Sequence, residues 1–317
     1  MGGLSKVHWL MLAVIAGLGF VIWGFSSDNF EPTSGKPVLM MSVSTFQNPE
    51  SVIFDQKRDR FYVSQAHFSG GAGEGSLAVV SAGGQIQDLN WVQGLNHPKG
   101  MGIVNDRLYV ADVDQVSVID IETGQIVATH KAAGAKFLND VTVGPSGQVF
   151  VSDTITNRIY LVSNDGVAVW LEDERLNQPN GLLVQGDTLY VASWGAFADK
   201  SVDGLMGAEP LGTLLKVDLL TKDLTALSQE PVGNLDGLVA DGEGRFLVSD
   251  WKAGRLFVMQ RDGTVIRSFD MAKVLAVESA KGFADIAYHP LRGQLWAPMM
   301  LNGSVLVFSM VRPRGSY

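Results

Sequence analysis

Four oxygen-bearing side chains, Glu50, Asn139, Asn180 and Asp236, each stand two positions before the first apolar residue of a short run, at Val52, Val141, Leu182 and Leu238. Two further runs, beginning at Met101 and Ile286, put Lys99 and Ala284 at the same position; the residues that follow this register include Asp140 and Asp285. Side chains at one register of a repeated strand converge when the repeats surround an axis. Two carboxylates and two amides meeting there are costly to bury unless something satisfies them. The set is all oxygen with limited negative charge, which suits a hard cation, and Ca²⁺ takes about six to eight such ligands. No His shares the register, which disfavours zinc, copper and non-haem iron. Singly, Asn180-Gly181 and Asp236-Gly237 would be ordinary turn pairs. Their recurrence at one register argues for a site.

The elements that would position these residues repeat along the chain. An apolar-aromatic strand with a polar stop recurs as Arg60-Phe61-Tyr62-Val63-Ser64, Arg107-Leu108-Tyr109-Val110-Ala111-Asp112 and Gln148-Val149-Phe150-Val151-Ser152-Asp153. It continues as Thr188-Leu189-Tyr190-Val191-Ala192-Ser193, Arg245-Phe246-Leu247-Val248-Ser249-Asp250 and Gln294-Leu295-Trp296-Ala297. The central positions 62, 109, 150, 190, 247 and 296 lie 40 to 57 residues apart. Turn residues such as Asn105-Asp106 and Gly186-Asp187 precede the strand, as a hairpin requires. With a shorter apolar strand before, a third after and a fourth in several repeats, this spacing predicts a six-bladed β-propeller with four-stranded antiparallel blades over 37–313. Val38 to Ser44 is the candidate outer strand that closes the ring.

Second strands would end on the same face as the ring. Two connections there are long, Ala66 to Gly75 with His67, and Trp194 to Gly212 with Phe197 and Met206, and long loops on a ligand face are usual places for lids. Trp194 and Trp251 could wall an apolar pocket. Asp112, Asp153 and Asp250 read as caps of the strand stop, and His289, before Pro290 in a turn on the opposite face, reads as structural. His97 and His130 carry no constellation. The chain has no Gly-x-Ser-x-Gly segment and no cysteine, so a serine-hydrolase elbow, thiolate chemistry and disulfides are excluded. The net charge of −9 argues against nucleic acid as a partner. Nothing in the sequence sets the oligomeric state.

Glu50-Ser51-Val52-Ile53-Phe54, Asn139-Asp140-Val141, Pro179-Asn180-Gly181-Leu182 and Asp236-Gly237-Leu238 resemble the blade openings of the SMP-30/gluconolactonase/luciferin-regenerating family, and the likeness covers nearly all of 45–310. The resemblance implies a divalent metal, usually Ca²⁺, held by Glu50, Asn180 and Asp236, with Asn139 as ligand or substrate contact. It also implies hydrolysis of a lactone or related ester. In such a reaction Asp236 would serve as general base or nucleophile, and Asn139 and Asn180 would position metal and substrate. Sugar-lactone members carry an Arg two residues before the equivalent of Asn139. Here that position is Phe137, beside Lys136. A small-molecule substrate less polar than a sugar lactone follows, contacted by Lys99, Phe137, Trp194, Trp251 and His67. Lys99 near a dication needs Glu50 or Asp236 to screen it, or else reaches a substrate oxygen. The strand motifs also resemble NHL repeats, so the rival reading is a non-catalytic propeller that binds a protein or ligand.

Lys6 precedes an apolar run from Val7 to Phe25, broken only by His8 and followed by Asp28 and Glu31. As a helix this run just covers a bilayer core of about 30 Å, and the flanking charges predict N-in, C-out topology. Residues 1–25 read as a signal anchor or a cleaved signal peptide, with 26–36 as linker. Either reading places the propeller outside the cytoplasm, on the periplasmic or cell-surface side, held to the membrane if the segment is uncleaved.

Overall fold

Runs of Val, Ile, Phe and Tyr broken by left-handed Gly, Asn and Asp residues leave the backbone little choice but hairpins; Asn105, Gly186 and Gly293 all have positive φ between first and second strands. The computed structural model describes residues 30–31, 36–68, 70–163, 166–196, 210–228, 230–310 and 312–313. Among them lie six antiparallel four-stranded sheets. Blade 1 is Pro49–Asp55, Arg60–Gln65, Gly75–Ser81 and Ile86–Leu95; blade 2 is Pro98–Val104, Arg107–Asp112, Gln115–Asp120 and Gln125–Lys131. Blade 3 is Leu138–Val143, Val149–Asp153, Arg158–Ser163 and Gly166–Glu172; blade 4 is Pro179–Gln185, Thr188–Ser193, Leu214–Asp218 and Leu224–Ala226. Blade 5 is Leu235–Ala240, Arg245–Asp250, Arg255–Gln260 and Val265–Asp270.

Blade 6 takes three strands from the C-terminal part, Ala287–His289, Gln294–Met299 and Ser304–Ser309, and its outer strand Val38–Ser44 from the N-terminal part. The strand expected to close the ring does so. Beyond it, Phe30–Glu31 pairs with Arg312–Pro313, so the two ends meet again.

Each first strand touches the first strands of the neighbouring blades, and the six surround the axis. The core is therefore a set of apolar clusters between adjacent blades, such as Phe61, Trp296 and Val305 where blade 6 meets blade 1. Phe61 and Trp296 stack there at 3.8 Å between centroids.

The apolar run Val7 to Phe25, Phe197 and Met206 lie outside the described residues. Among the described residues no helix is long and apolar enough to cross a membrane.

Candidate functional site

The ring residues owe their placement to one backbone irregularity repeated five times. In blades 1 to 5 the pairing of first with second strand shifts just after the strand begins, between Pro49 and Val52, Pro98 and Met101, Leu138 and Val141, Pro179 and Leu182, and Leu235 and Leu238. The two residues inside each shift leave the ladder, and such bulges re-aim side chains. They are Glu50-Ser51, Lys99-Gly100, Asn139-Asp140, Asn180-Gly181 and Asp236-Gly237. In blade 6 the corresponding pair is Ala284-Asp285, bridged to blade 1 by the Asp285 N–H on the Glu50 carbonyl at 3.1 Å.

Serines of the second strands replace the missing ladder bonds. Ser152 Oγ accepts the Asp140 N–H at 2.9 Å and donates to the Asn180 carbonyl of the next blade at 2.8 Å. Ser249 repeats this with the Gly237 N–H and the Ala284 carbonyl, at 2.7 and 2.8 Å. Ser64 Oγ accepts the Ser51 N–H at 2.9 Å. In blades 2 and 4 the second bulge position leaves no room for a side chain: a Cβ on Gly181 would lie 2.0 Å from the Asp236 carbonyl oxygen, and one on Gly100 2.4 Å from Asp140 Oδ1.

The result is two tiers of buried polar groups. The upper tier holds Glu50, Lys99, Asn139, Asn180 and Asp236; the lower holds Ser51, Asp140 and Asp285. Lys99 Nζ lies 3.4 Å from Glu50 Oε1, while Glu50 Oε2 is buried with no hydrogen-bond partner. Asn180 donates to Asp236, and Asn139 Nδ2 donates to Thr154 Oγ1 at 3.0 Å. Below, Asp140 accepts the Val141 and Leu182 N–H groups, each at 2.6 Å, and Asp285 accepts the Ser51 hydroxyl at 2.5 Å. Asp140 and Asp285 close the inner end of an apolar channel of about 420 Å³ opening on the opposite face, with Val141, Leu182 and Ile286 among its walls.

Burial is the dominant force on every one of these carboxyls. It raises Glu50, against the pull of Lys99. It pushes Asp140 up to about 8 despite the two N–H donors. Asp236 and Asp285 stand well above the usual carboxylate range, first through burial and then through neighbouring acids, Glu50 for Asp236 and Asp140 for Asp285.

This is what an oxygen-ligated cation would relieve. Four buried carboxyls face one ammonium in the cluster, the orphaned Glu50 oxygen needs a partner, and the two amides supply neutral oxygens. Among the described residues no three His, Asp or Glu side chains are placed to hold a metal alone. The amides are therefore essential to the set, and the donor chemistry fits a hard cation only with them.

Around the ring the wall divides in two. Trp194 and Trp251 pack at 5.8 Å with Ala284 and Met300 on the side of blades 4 to 6. Asn234 joins the two tryptophans, donating Nδ2 to the Trp194 carbonyl at 2.9 Å and accepting the Trp251 N–H at 3.1 Å. On the side of blades 1 to 3, Lys99 Nζ sits 4.7 Å from the Phe137 ring and 5.1 Å from that of Phe68. His67 turns to Glu74 at 3.3 Å, and it is the neighbouring Phe68 that reaches Lys99. The caps behave as expected: Asp112 accepts the N–H groups of Asn96 and His97, Asp153 those of Lys136 and Phe137, and Asp250 that of Ala253. His289 is buried away from the ring, stacked on Phe54 at 4.1 Å.

Sequence reading placed Asp140 and Asp285 beside the ring without counting them in it, and it missed Thr154 and Phe68. The signal for the acids was there, since the second bulge position reads Ser, Gly, Asp, Gly, Gly, Asp around the ring.

A six-bladed propeller with a buried polar ring at the axial end of its first strands defines a class of enzyme-like propellers. The SMP-30/Gluconolactonase/LRE-like region matches residues 49–280, and the chain belongs to that family. The fold is similar to a gluconolactonase, XC5397 from Xanthomonas campestris, with TM-score 0.61, 14% identity, and coverage of 87% of this chain and 97% of that one. It is also similar to a streptogramin B lyase (TM-score 0.57, 11% identity, 86% and 96% covered) and to a chain of a nidogen/laminin complex (TM-score 0.54, 15% identity, 71% and 81% covered). At these identities the likeness shows the fold alone. No curated protein matches the chain.

Proposed function

We propose that the chain is a divalent-metal-dependent hydrolase, with Ca²⁺ as the metal, acting on a lactone or related ester less polar than a sugar lactone. The observation that carries this reading is the buried Glu50 carboxylate with one oxygen unpartnered, in a ring with Asn139, Asn180 and Asp236. These four would hold the cation, which when bound supplies Lewis-acid polarisation of a carbonyl. The chain's own residues do the rest. Asp236 takes a proton from water as general base or attacks the carbonyl carbon itself. Asn139 and Asn180 orient metal and substrate, Trp194, Trp251 and Met300 receive the apolar part of the substrate, and Lys99 and Phe137 face its other side. Family membership and the gluconolactonase-like fold support the class of reaction.

The test is metal content with activity. The purified protein is expected to carry about one divalent ion whose removal lowers the melting temperature by linkage and stops hydrolysis across a panel of lactones and aryl esters. Asp236→Asn is expected to lower kcat by about 100-fold or more while the far-ultraviolet spectrum is unchanged. If chelation alters neither melting nor hydrolysis, the rival non-catalytic propeller stands instead. The apolar run before the propeller supports export, which fractionation of cells expressing the full chain checks.

A further inference from the structure

The position one residue past each second-strand stop carries a second register pattern. The six blades place there Ala66, Val113, Thr154, Trp194, Trp251 and Met300. Five are apolar, and three of these, Trp194, Trp251 and Met300, pack together beside the ring. Thr154 breaks the pattern and is 1% exposed. Valine has the same shape, so a buried hydroxyl here is a cost unless it is used.

It is used, and in a way that fixes direction. Thr154 Oγ1 lies 2.9 Å from the Pro179 carbonyl oxygen, which can only accept, so the hydroxyl proton goes there. The lone pairs then face Asn139, 3.0 Å away, and can take only an N–H. The Asn139 amide is thereby forced to present Nδ2 to Thr154 and keep Oδ1 as its remaining acceptor. Pro179 immediately precedes Asn180, so the same hydroxyl anchors the start of the strand bearing the second amide. The Thr154 backbone N–H donates in turn to the Phe137 carbonyl at 3.1 Å. One residue thus ties together Phe137, Asn139 and the Pro179-Asn180 step, across two blades.

We propose that Thr154 is a positioning residue that sets the Asn139 amide as an oxygen donor to the ring, and so sets the affinity of the site for a divalent cation. This rests on the metal reading above. The experiment measures Ca²⁺ affinity by competition with a chromophoric chelator in the wild-type protein, Thr154→Val, Thr154→Ser, Asn139→Ala and the double variant Thr154→Val/Asn139→Ala. Expected are at least tenfold weaker Ca²⁺ binding in Thr154→Val, near-wild-type binding in Thr154→Ser, and no further loss on adding Thr154→Val to Asn139→Ala. Thr154→Val with wild-type affinity would overturn the proposal, as would a loss that adds fully to that of Asn139→Ala. Should Thr154→Val not fold, Thr154→Ala removes the same bonds without added bulk; if that also fails to fold, Thr154 is a structural residue and the proposal is wrong. A wild-type protein that binds no Ca²⁺ sinks the metal reading itself, a separate outcome.

Discussion

Lys99 is the residue whose sign is opposite to its surroundings. Both it and Glu50 are almost fully buried and 3.4 Å apart, and removing one member of such a pair typically costs about 3–5 kcal/mol because the other charge is left alone. Lys99→Met is therefore expected to destabilise the metal-free protein. Glu50 can escape part of this cost by staying protonated. Burial already raises it and Lys99 opposes the rise, so without Lys99 the folded form holds its proton to higher pH than the unfolded chain. A group raised on folding loses its stabilising contribution as pH climbs. The melting-temperature gap between wild type and Lys99→Met should then be wider at pH 8 than at pH 5. Added Ca²⁺ should narrow it at pH 8. An equal gap at both values would mean that Glu50 is not the group left exposed by the substitution.

At the scale of the element, the bulge and its serine decide where the ring points. Ser152 serves the Asp140 N–H and the Asn180 carbonyl at once, both buried, and leaving such groups unsatisfied costs about 1–3 kcal/mol each. Ser152→Ala should lower stability in denaturant melts by that order, whereas Ser146→Ala, in an exposed turn, should not. Much of this architecture was legible beforehand. Strand repeats, turn residues and the polar stop gave six blades, and a shared register picked out Glu50, Asn139, Asn180 and Asp236. The serines, Thr154 and the lower acids were harder to see, because a period of two assigns Glu50 and Ser51 to opposite faces and only the bulge buries both. Thr154 bonds the Pro179 carbonyl of blade 4, and contacts across blades leave no trace in the periodicity of one strand. Phe68 was hidden for another reason: it lies in an irregular loop, where nothing in spacing distinguishes it from His67.

For the whole molecule the decisive contact is the one between its two ends. Val38–Ser44 pairs along its length with Ser304–Ser309 and adds Val43 to the cluster of Phe61, Trp296, Val305 and Val307. A chain starting at Pro37 should melt cooperatively like the full protein. One starting at Phe46 should lose several kcal/mol, on the scale of about 10 °C in melting temperature, and a peptide of residues 36–46 added in excess should restore part of it. Unchanged melting after the longer truncation would mean that blade 6 is stable with three strands.

That same pairing carries a consequence for how the chain is made. The Val38–Ser44 strand leaves the ribosome early, yet its partner follows only after the other five blades have been synthesised. Joining segments so far apart along the chain carries a large loop-closure entropy, and topologies dominated by such separations fold slowly. The early strand must stay unpaired through most of translation, with Val38, Leu39 and Met40 on a bare edge that invites association with other chains. In the finished protein these three are still exposed. Ring closure is thus expected to come last in folding, with the nascent chain most open to aggregation just before it.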